Sequence, residues 1–279
     1  MNYSLVAEAY ERMEATSKRL ELTDLLVDLF RKTPLNLIDK VVYLTQGKLY
    51  PDYMGVEVGV ADKLALRAIA SVAGVSTERA EEAYKKSGDI GLAAEELLQN
   101  KSQMTLFSEP LTVDRVYDTL DKIARTTGSG SIDMKLAHLR SLLNDATPQE
   151  AKYIMRTVTG KLRLGIADYT VLDALSLAYT GDRANRPHLE RAYNICSDLG
   201  AVARTVAEYG LDGVMGFKVM VGRPIRPMLA ERLQTAEEIL EKVGGRCAAE
   251  YKLDGERLQI HKSKDGVQLF SRRLENITS

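Results

Sequence analysis

The chain has 279 residues, of which 45% are hydrophobic and 28% charged, and a formal net charge of -1. This length is enough for about two domains, and the near-neutral charge argues against an indiscriminate polyanion binder, which would be basic. No apolar run is long enough to cross a bilayer, and the start at Met1 lacks the features of a secretory signal, so we expect a cytoplasmic protein. The two cysteines, Cys196 and Cys247, predict no disulfide framework and fit buried residues in a reducing compartment.

Helical signals dominate the first 219 residues. Apolar residues recur at helical spacing, and start signals punctuate them: Thr33-Pro34 places a capping residue before a proline, and Thr147-Pro148-Gln149-Glu150 is a capping box. Gly74 and Gly181 are typical helix stops. The predicted helices span 1–32, 35–44, 61–73, 77–84, 89–98, 112–123, 132–143, 147–158, 168–178, 189–199 and 201–209. We therefore predict an all-helical first domain over 1–219.

Residues 99–112 interrupt this pattern, with Leu106 and Phe107 beside Pro110. One interpretation is a connecting loop in which the two apolar residues are buried anchors. The other is a docking peptide for a partner protein, with Gln103, Leu106 and Phe107 as its anchors.

A small, glycine-rich turn, Gly128-Ser129-Gly130-Ser131, opens the predicted helix 132–143. It is either a flexible connection or a phosphate clamp, because the N–H groups at a helix N-terminus attract anions. It is not a nucleotide-binding P-loop, since no Gly-Lys-Ser/Thr follows.

Basic residues alternate with leucines in the segment 159–167, between Gly160 and Gly165. In an extended segment Lys161 and Arg163 would share one side while the leucines anchor the other in the core. The pattern fits either a solvated basic turn or a contact to the backbone of duplex DNA, where cations fix position without reading sequence.

The sequence pattern changes from helical to irregular at Met220. Residues 220–230 contain two prolines and no helical period, which predicts a linker. A helix is predicted over 235–243, followed by three short strands at 248–253, 257–262 and 267–272, with Asp265-Gly266 as the hairpin turn between the last two. The expected class is therefore mainly α, with an α+β second domain over 220–279.

The residues Glu250-Tyr251-Lys252-Leu253-Asp254-Gly255-Glu256-Arg257 contain the pattern K-x-D-G-x-R. On a strand, Lys252 and Asp254 would project to one face, and Arg257 could return a guanidinium from the next strand. A lysine in a dry pocket or beside cations can become a nucleophile, and arginine suits a phosphate. The alternative is an ordinary surface lysine beside an Asp-Gly turn.

This octapeptide and the later Phe270-Ser271-Arg272-Arg273 resemble motif I and its following strand in ATP-dependent DNA ligases. Gly160–Leu175 resembles the signature of the DNA-binding domain of archaeal and eukaryotic ligases, and Pro-Met-Leu-Ala at 227–230 resembles the family's entry into the nucleotidyltransferase (adenylation) domain. RNA ligases and mRNA capping enzymes share the shorter K-x-D-G core, but the long helical region argues against them.

The resemblance implies sealing of nicks in duplex DNA with ATP and Mg²⁺. Lys252 would form a lysine–AMP intermediate, Glu250 would recognise adenine, and Arg257 and Arg272 would bind ribose or phosphate. Asp254 would orient Lys252 or the metal region. The DNA contacts would come from Gly128–Ser131 and from Lys161, Arg163 and Gly165.

At the position of Gln103, Leu106 and Phe107, archaeal ligases carry a short motif that binds the sliding clamp (PCNA), although only one aromatic is present here. The family's later nucleotide-binding motifs and its OB-fold have no counterpart within these 279 residues. We therefore expect an incomplete second domain with no metal ligands of its own, a monomer that binds DNA, and no complete ligation by this piece. The alternative is a helical DNA- or clamp-binding scaffold without chemistry.

Overall fold

The secondary structure described up to residue 215 is mainly helical. The computed structural model describes residues 1–99, 109–228 and 231–278, and within these ranges the chain forms thirteen α-helices and two β-strands. The helices are α1 (Ser4–Glu14), α2 (Arg19–Lys32), α3 (Ile38–Thr45), α4 (Asp62–Ala73), α5 (Thr77–Ser87), α6 (Ile90–Leu98), α7 (Val113–Arg125), α8 (Ser131–Asp145), α9 (Pro148–Val158), α10 (Asp168–Thr180), α11 (Arg186–Cys196), α12 (Leu199–Met215) and α13 (Ala236–Lys242). The strands are β1 (Gln259–Ser263) and β2 (Gly266–Phe270). The predicted class, mainly α with a small α+β second part, is confirmed.

Most predicted helix boundaries follow from local chemistry. Thr147 accepts a hydrogen bond from the Glu150 N–H while the Glu150 side chain accepts one from the Thr147 N–H, which completes the predicted capping box. Ser76 and Thr112 cap α5 and α7 through the same kind of hydroxyl contact. Gly74 ends α4 in the left-handed conformation that glycine adopts without strain.

Three boundaries differ from the prediction. Residues 1–32 form two helices rather than one continuous segment. The Thr33 hydroxyl donates back to the Leu29 carbonyl, so it does not cap the next helix, which starts after a short 3₁₀ turn. The break between the last two helices of this region lies at Ser197-Asp198, because Asp198 accepts the Ala201 N–H and thereby starts α12 at Leu199.

One continuous apolar core joins α1 to α12. It extends from Tyr3 to Val214, and the closest helix pairings are α6 on α9, α2 on α10, α3 on α12 and α4 on α8. Gly91 allows the first of these, since a Cβ there would lie 2.6 Å from the Lys152 carbonyl oxygen. In the described residues no helix is long and apolar enough to span a membrane.

The second region is mostly exposed. β1 and β2 form an antiparallel hairpin whose two-residue turn is Lys264-Asp265, so the predicted turn is displaced by one residue. The predicted strand over 248–253 is wrong. A strand requires a neighbour to hydrogen-bond with, and the sheet seen in the described residues consists of β1 and β2 alone. Tyr251 accordingly leaves 96% of its surface exposed.

The prediction that both cysteines are buried is half wrong. Cys196 is buried at the end of α11, and this burial raises the pKa of its thiol to about 11, so the unreactive thiol form prevails at neutral pH. Cys247 is exposed in the irregular segment that precedes Lys252, where no core forms around it.

Candidate nucleotide and nucleic-acid sites

The K-x-D-G-x-R segment folds around an open cavity of about 460 Å³. Its lining includes Lys252, Asp254, Arg257 and Arg272. Residues 252–257 lie on irregular chain before β1, and Arg272 follows the end of β2, so the hairpin carries Arg272 back to the motif. Three of the predicted nucleotide-site cations thus meet at one cavity, although the two-strand geometry expected to bring them together is absent from the described residues.

Two features of this cavity differ from the expectation. Glu250 is exposed and does not line it. Lys252 is exposed as well, so the described residues do not provide the dry surroundings that favour an uncharged lysine. A smaller adjoining cavity of about 320 Å³ is lined by Arg257, Arg272 and Arg273 among others. The concentration of guanidinium groups beside one lysine is suited to a polyphosphate.

The residues present fit a nucleotide better than a metal. One lysine and two arginines line the cavity against the carboxylates of Asp254 and Glu256, which leaves cationic donors for phosphate oxygens. The described ranges contain no group of three or more His, Cys, Asp or Glu residues placed to hold a metal ion.

Lys161 is already paired. Its ammonium donates to both carboxylate oxygens of Asp62, at 2.8 and 2.7 Å, and to the Tyr84 hydroxyl at 2.9 Å. The hydrogen bond from Lys161 holds the pKa of Asp62 below its usual range, and the same contact raises the pKa of Lys161. A DNA phosphate at this ammonium would have to compete with Asp62, which weakens the predicted role of Lys161.

Arg163 is the freer cation of this segment. It is exposed and has no ion pair among the described residues. The flanking Gly160 and Gly165 both have positive φ, of 67°, which reverses the chain on either side of Arg163. Leu164 is buried below, so the predicted division between leucine anchors and an outward base holds at this position.

The turn at Gly128–Ser131 exposes a helix N-terminus. Gly130 precedes α8 with φ 77°, and no side chain caps this helix end. Gly128, Ser129 and Gly130 are exposed, while Ser131 is half-buried. Asp133 lies in the first turn of α8, and its negative charge there opposes the binding of an anion.

The predicted docking anchors Gln103, Leu106 and Phe107 lie outside the described residues. The linker after α12, by contrast, makes specific contacts with the helices. Arg226 donates to the Tyr193 hydroxyl at 2.7 Å and lies over its ring at 4.3 Å. The Tyr193 hydroxyl donates to Asp168 at 2.7 Å, and Asp168 also accepts from Gln46. We name Arg226, Tyr193 and Asp168 the linker clasp.

The linker also contacts the hairpin. The Gly222 N–H donates to His261 Nδ1, and Ile225 exchanges two hydrogen bonds with the Gln259 side chain. A cavity of about 550 Å³ is lined by parts of both regions, from the loop 47–59 to Arg273. The linker is therefore held between the helices and β1 rather than extended in solvent.

The residues that pair with Lys161 and those that form the linker clasp could not be found from sequence spacing. Asp62 and Tyr84 are far from Lys161 along the chain, and the members of the linker clasp come from α10, α11 and the linker. No periodicity or spacing connects residues at such separations, so only the fold brings them together. The one local signal is Asp168, an acid in the first turn of a helix.

Two family models match this chain. The DNA ligase N terminus matches residues 2–176, and the ATP dependent DNA ligase domain matches residues 227–279. Across all 279 residues the chain is 55% identical to a DNA ligase of Cenarchaeum symbiosum and 54% identical to one of Nitrosopumilus maritimus. It is also 50% identical to a protein of Aquifex aeolicus described as a probable DNA ligase, over 281 aligned residues.

The chain belongs to the ATP-dependent DNA ligase family. The first match covers the segment between α9 and α10 that carries Arg163, and the second covers the cavity around Lys252. The chain spans 47% of the length of each of these three relatives.

Proposed function

We propose that this chain is the DNA-binding and nucleotide-accepting part of an enzyme that seals nicks in duplex DNA with ATP. The observation that carries this proposal is the shared cavity of Lys252, Arg257 and Arg272 in a segment that matches the ATP dependent DNA ligase domain. The proposed domains are a helical DNA-binding domain over 1–219 and the first part of an adenylation domain over 220–279.

Lys252 is the proposed nucleophile. Its Nζ forms a bond to the α-phosphorus of ATP, the bond from that phosphorus to the bridging oxygen breaks, and pyrophosphate leaves with the electron pair. The ammonium must first lose its proton to solvent or a nearby carboxylate. The AMP then passes to the 5′-phosphate of a nick, and the 3′-hydroxyl displaces it to join the strand.

The other residues of the cavity have supporting roles. Arg257 and Arg272 stabilise negative charge on the phosphate oxygens, which is the main requirement of phosphoryl transfer. Asp254, two residues from the nucleophile, orients the amine or the metal region. Glu250 is assigned to adenine by motif position alone, since it does not line the cavity. Mg²⁺ supplies charge neutralisation on the triphosphate when bound.

Duplex DNA is the proposed partner of the helical domain. Arg163 between its two glycines is the strongest candidate contact, because its charge has no partner among the described residues. The exposed turn Gly128–Ser131 and Gly165 are further candidates, and Lys161 contributes only if it exchanges Asp62 for phosphate. A monomer in the cytoplasm, with a sliding clamp bound through Gln103, Leu106 and Phe107, remains part of the proposal.

The nucleotide step is tested by intact mass after incubation with ATP and Mg²⁺. We expect a gain of one AMP that is lost in Lys252→Ala and kept in Lys264→Ala, a matched change at an exposed lysine in the hairpin turn. If this chain gains nothing, the same measurement is made on a longer protein that contains it. No adduct in either would exclude the chemistry, and the alternative of a non-catalytic scaffold would then be favoured.

The DNA-binding step is tested by the affinity for nicked duplex across a salt series. Phosphate-led binding weakens steeply as salt rises, and removal of one phosphate contact lowers the slope of log K against log salt by about 1. We expect this change for Arg163→Gln. Arg79→Gln, which removes an arginine already paired with Glu82 and Glu96, should bind like the unchanged chain. Salt-independent binding, or none, would exclude the proposed role of the helical domain.

A further inference from the structure

Three arginines surround one buried carboxylate on the helical domain. Asp173 of α10 leaves only 1% of its side chain exposed. Arg19 and Arg183 both donate to its Oδ2, at 2.9 and 2.7 Å, and Arg186 Nε lies 3.5 Å from Oδ1. We name Arg19, Arg183 and Arg186 the arginine cluster.

The donors of the arginine cluster greatly exceed the acceptors that they meet. Arg19 and Arg183 share one oxygen of Asp173, and the other oxygen has no hydrogen-bond partner among the described residues. A guanidinium carries five N–H donors, so most of those in the cluster face outward. Arg19 and Arg183 keep 55% and 43% of their side chains exposed. An external anion can reach these donors.

The charge balance at this place is positive. Within the part of the chain that the structure describes, the ion pairs of the cluster are with Asp173 and with Glu190, which lies 3.7 Å from Arg186. In these ion pairs three cations meet two carboxylates. A third anion would relieve the repulsion between guanidinium groups that a single buried carboxylate holds together.

Two helices begin at the cluster. Arg19 is the first residue of α2, and Arg186 is the first residue of α11. The start of α2 has no side-chain cap but carries Glu21 in its first turn, and α11 continues a 3₁₀ turn over Arg183–Asn185 that Asp182 caps. An anion would therefore be attracted by the guanidinium groups and not by the helix ends.

The cluster adjoins the segment proposed to contact DNA. Tyr169 lies in the first turn of α10, four residues after Gly165, and is exposed. Arg186 lies 5.6 Å over the Tyr169 ring, which links the cluster to this end of α10. Asp173 follows one helical turn later on the same face.

We propose that the arginine cluster is a second binding site for a backbone phosphate of duplex DNA, separate from Arg163. This inference rests on the proposed DNA binding and extends its footprint along α10 to the start of α11. The ligand chemistry is a phosphate anion, and the source to which we assign it is the DNA backbone rather than free phosphate. Asp173 holds the three guanidinium groups in place and itself makes no contact with DNA.

The test compares duplex affinity across a salt series for Arg19→Gln/Arg183→Gln and for Arg79→Gln as the matched control. For the double variant we expect a loss of about tenfold in affinity and a salt slope lower by about 1. The control should bind like the unchanged chain. If the unchanged chain shows salt-dependent binding and the double variant equals the control, the cluster is not a DNA site and the proposed function stands.

Loss of partners around Asp173 can also destabilise the fold, so a second variant separates binding from folding. Asp173→Asn with Arg19→Gln and Arg183→Gln removes the buried charge together with its two hydrogen-bonded partners, and it should show the same loss of DNA affinity once thermal unfolding confirms a folded chain. Asp173→Asn alone leaves Arg19 and Arg183 without their carboxylate partner, whereas Arg186 keeps Glu190, and this variant should bind duplex several-fold more tightly. A purely structural cluster predicts no gain, and this outcome would overturn the proposal.

Inorganic phosphate distinguishes the two sources of the anion. Phosphate is titrated while the thermal midpoint of the unchanged chain and of the triple variant is followed. Competition between phosphate and duplex at the cluster supports the DNA assignment. Saturable stabilisation by phosphate that is lost in the triple variant, combined with unchanged duplex affinity, would assign the site to free phosphate and overturn the proposal. Failure of the unchanged chain to bind any duplex would instead remove the proposed function itself.

Discussion

Charged side chains are partly buried and paired in the helical region but exposed in the second region. In the helical region, charged side chains enter the interior and find partners there: Lys152 is 4% exposed and donates to both Glu11 and Glu14. In the second region, Lys252 and Arg257 lie on exposed, irregular chain. Among the described residues after 216, the buried side chains are those of Pro224, Phe270 and Leu274, whereas the helices before them share one continuous core.

The difference shows which candidate functional residues are held in position by a packed core. The helical region fixes the position of Arg163 and of the arginine cluster through a continuous core. The cavity at Lys252 rests on a single hairpin and on the linker, so the residues that carry the proposed chemistry have little support of their own within the described part. Four predictions test this contrast, from the largest expected effect to the smallest.

Lys152→Ala should be severely destabilising. It removes the hydrogen bonds from a buried ammonium to Glu11 and Glu14, and the loss of a hydrogen bond to a charged group costs about 1.5 to 3 kcal/mol each. Urea unfolding measures the loss. Lys32→Ala, which breaks an exposed pair with Asp28, should change the free energy of unfolding little. Equal effects of the two variants would contradict the interior role of charge in this region.

Gly91→Ala should destabilise the contact between α6 and α9. The new Cβ would lie 2.6 Å from the Lys152 carbonyl oxygen and 2.8 Å from Arg156 Cγ, and overpacking of this kind costs about 1 to 3 kcal/mol. Thermal unfolding provides the measurement. The neighbouring Leu92→Ala removes an exposed side chain and serves as the control, with a smaller expected effect.

Acid should weaken the helical region through its carboxylates. Burial alone would raise the pKa values of Glu11, Glu14 and Asp89, but hydrogen bonds from Lys152, Arg156 and backbone N–H groups bring them below their usual range. Their stabilisation is complete above the unfolded pKa, near 4, and is lost as pH falls toward the lowered values. The free energy of unfolding should therefore decline below about pH 4.

Glu95 contributes with the opposite sign. Burial raises its pKa, so its contribution is present at low pH and is lost as pH rises through the raised value. Glu95→Gln removes this opposing contribution, and the acid decline should become clearer in that variant. A free energy of unfolding that is flat from pH 6 to pH 3 in both chains would disprove the role of the lowered carboxylates.

Leu253→Ala should have the smallest effect. This side chain is exposed within the motif that contains Lys252, so its removal should leave thermal unfolding of the 279-residue chain nearly unchanged. A loss comparable to that of Gly91→Ala would mean that the motif segment packs in solution, and the contrast between the two regions would disappear.

Helix ends that depend on nearby residues could be predicted from the sequence. The capping box at Thr147 and the stop at Gly74 depend on neighbours within a few residues, and both are confirmed. The prediction of a strand over 248–253 was wrong. Alternating apolar and polar residues favour a strand, but a strand also requires a neighbouring strand to pair with. The pairing of Lys161 with Asp62 could not be predicted, because Asp62 lies on α4, 99 residues away along the chain. The assignment of roles to Lys252 and Arg163 stays a prediction.

The linker clasp shortens the connecting segment between the helical region and the motif around Lys252. The last helix of the first region ends at Met215, but Arg226 is still bound to Tyr193 and Asp168 of that region. The clasp therefore moves the last point of contact with the first region from Met215 to Arg226. A shorter tether confines the motif around Lys252 to a smaller volume and raises its effective concentration near the helices. Any duplex held by the helical region would be sampled more often by the residues beyond Arg226.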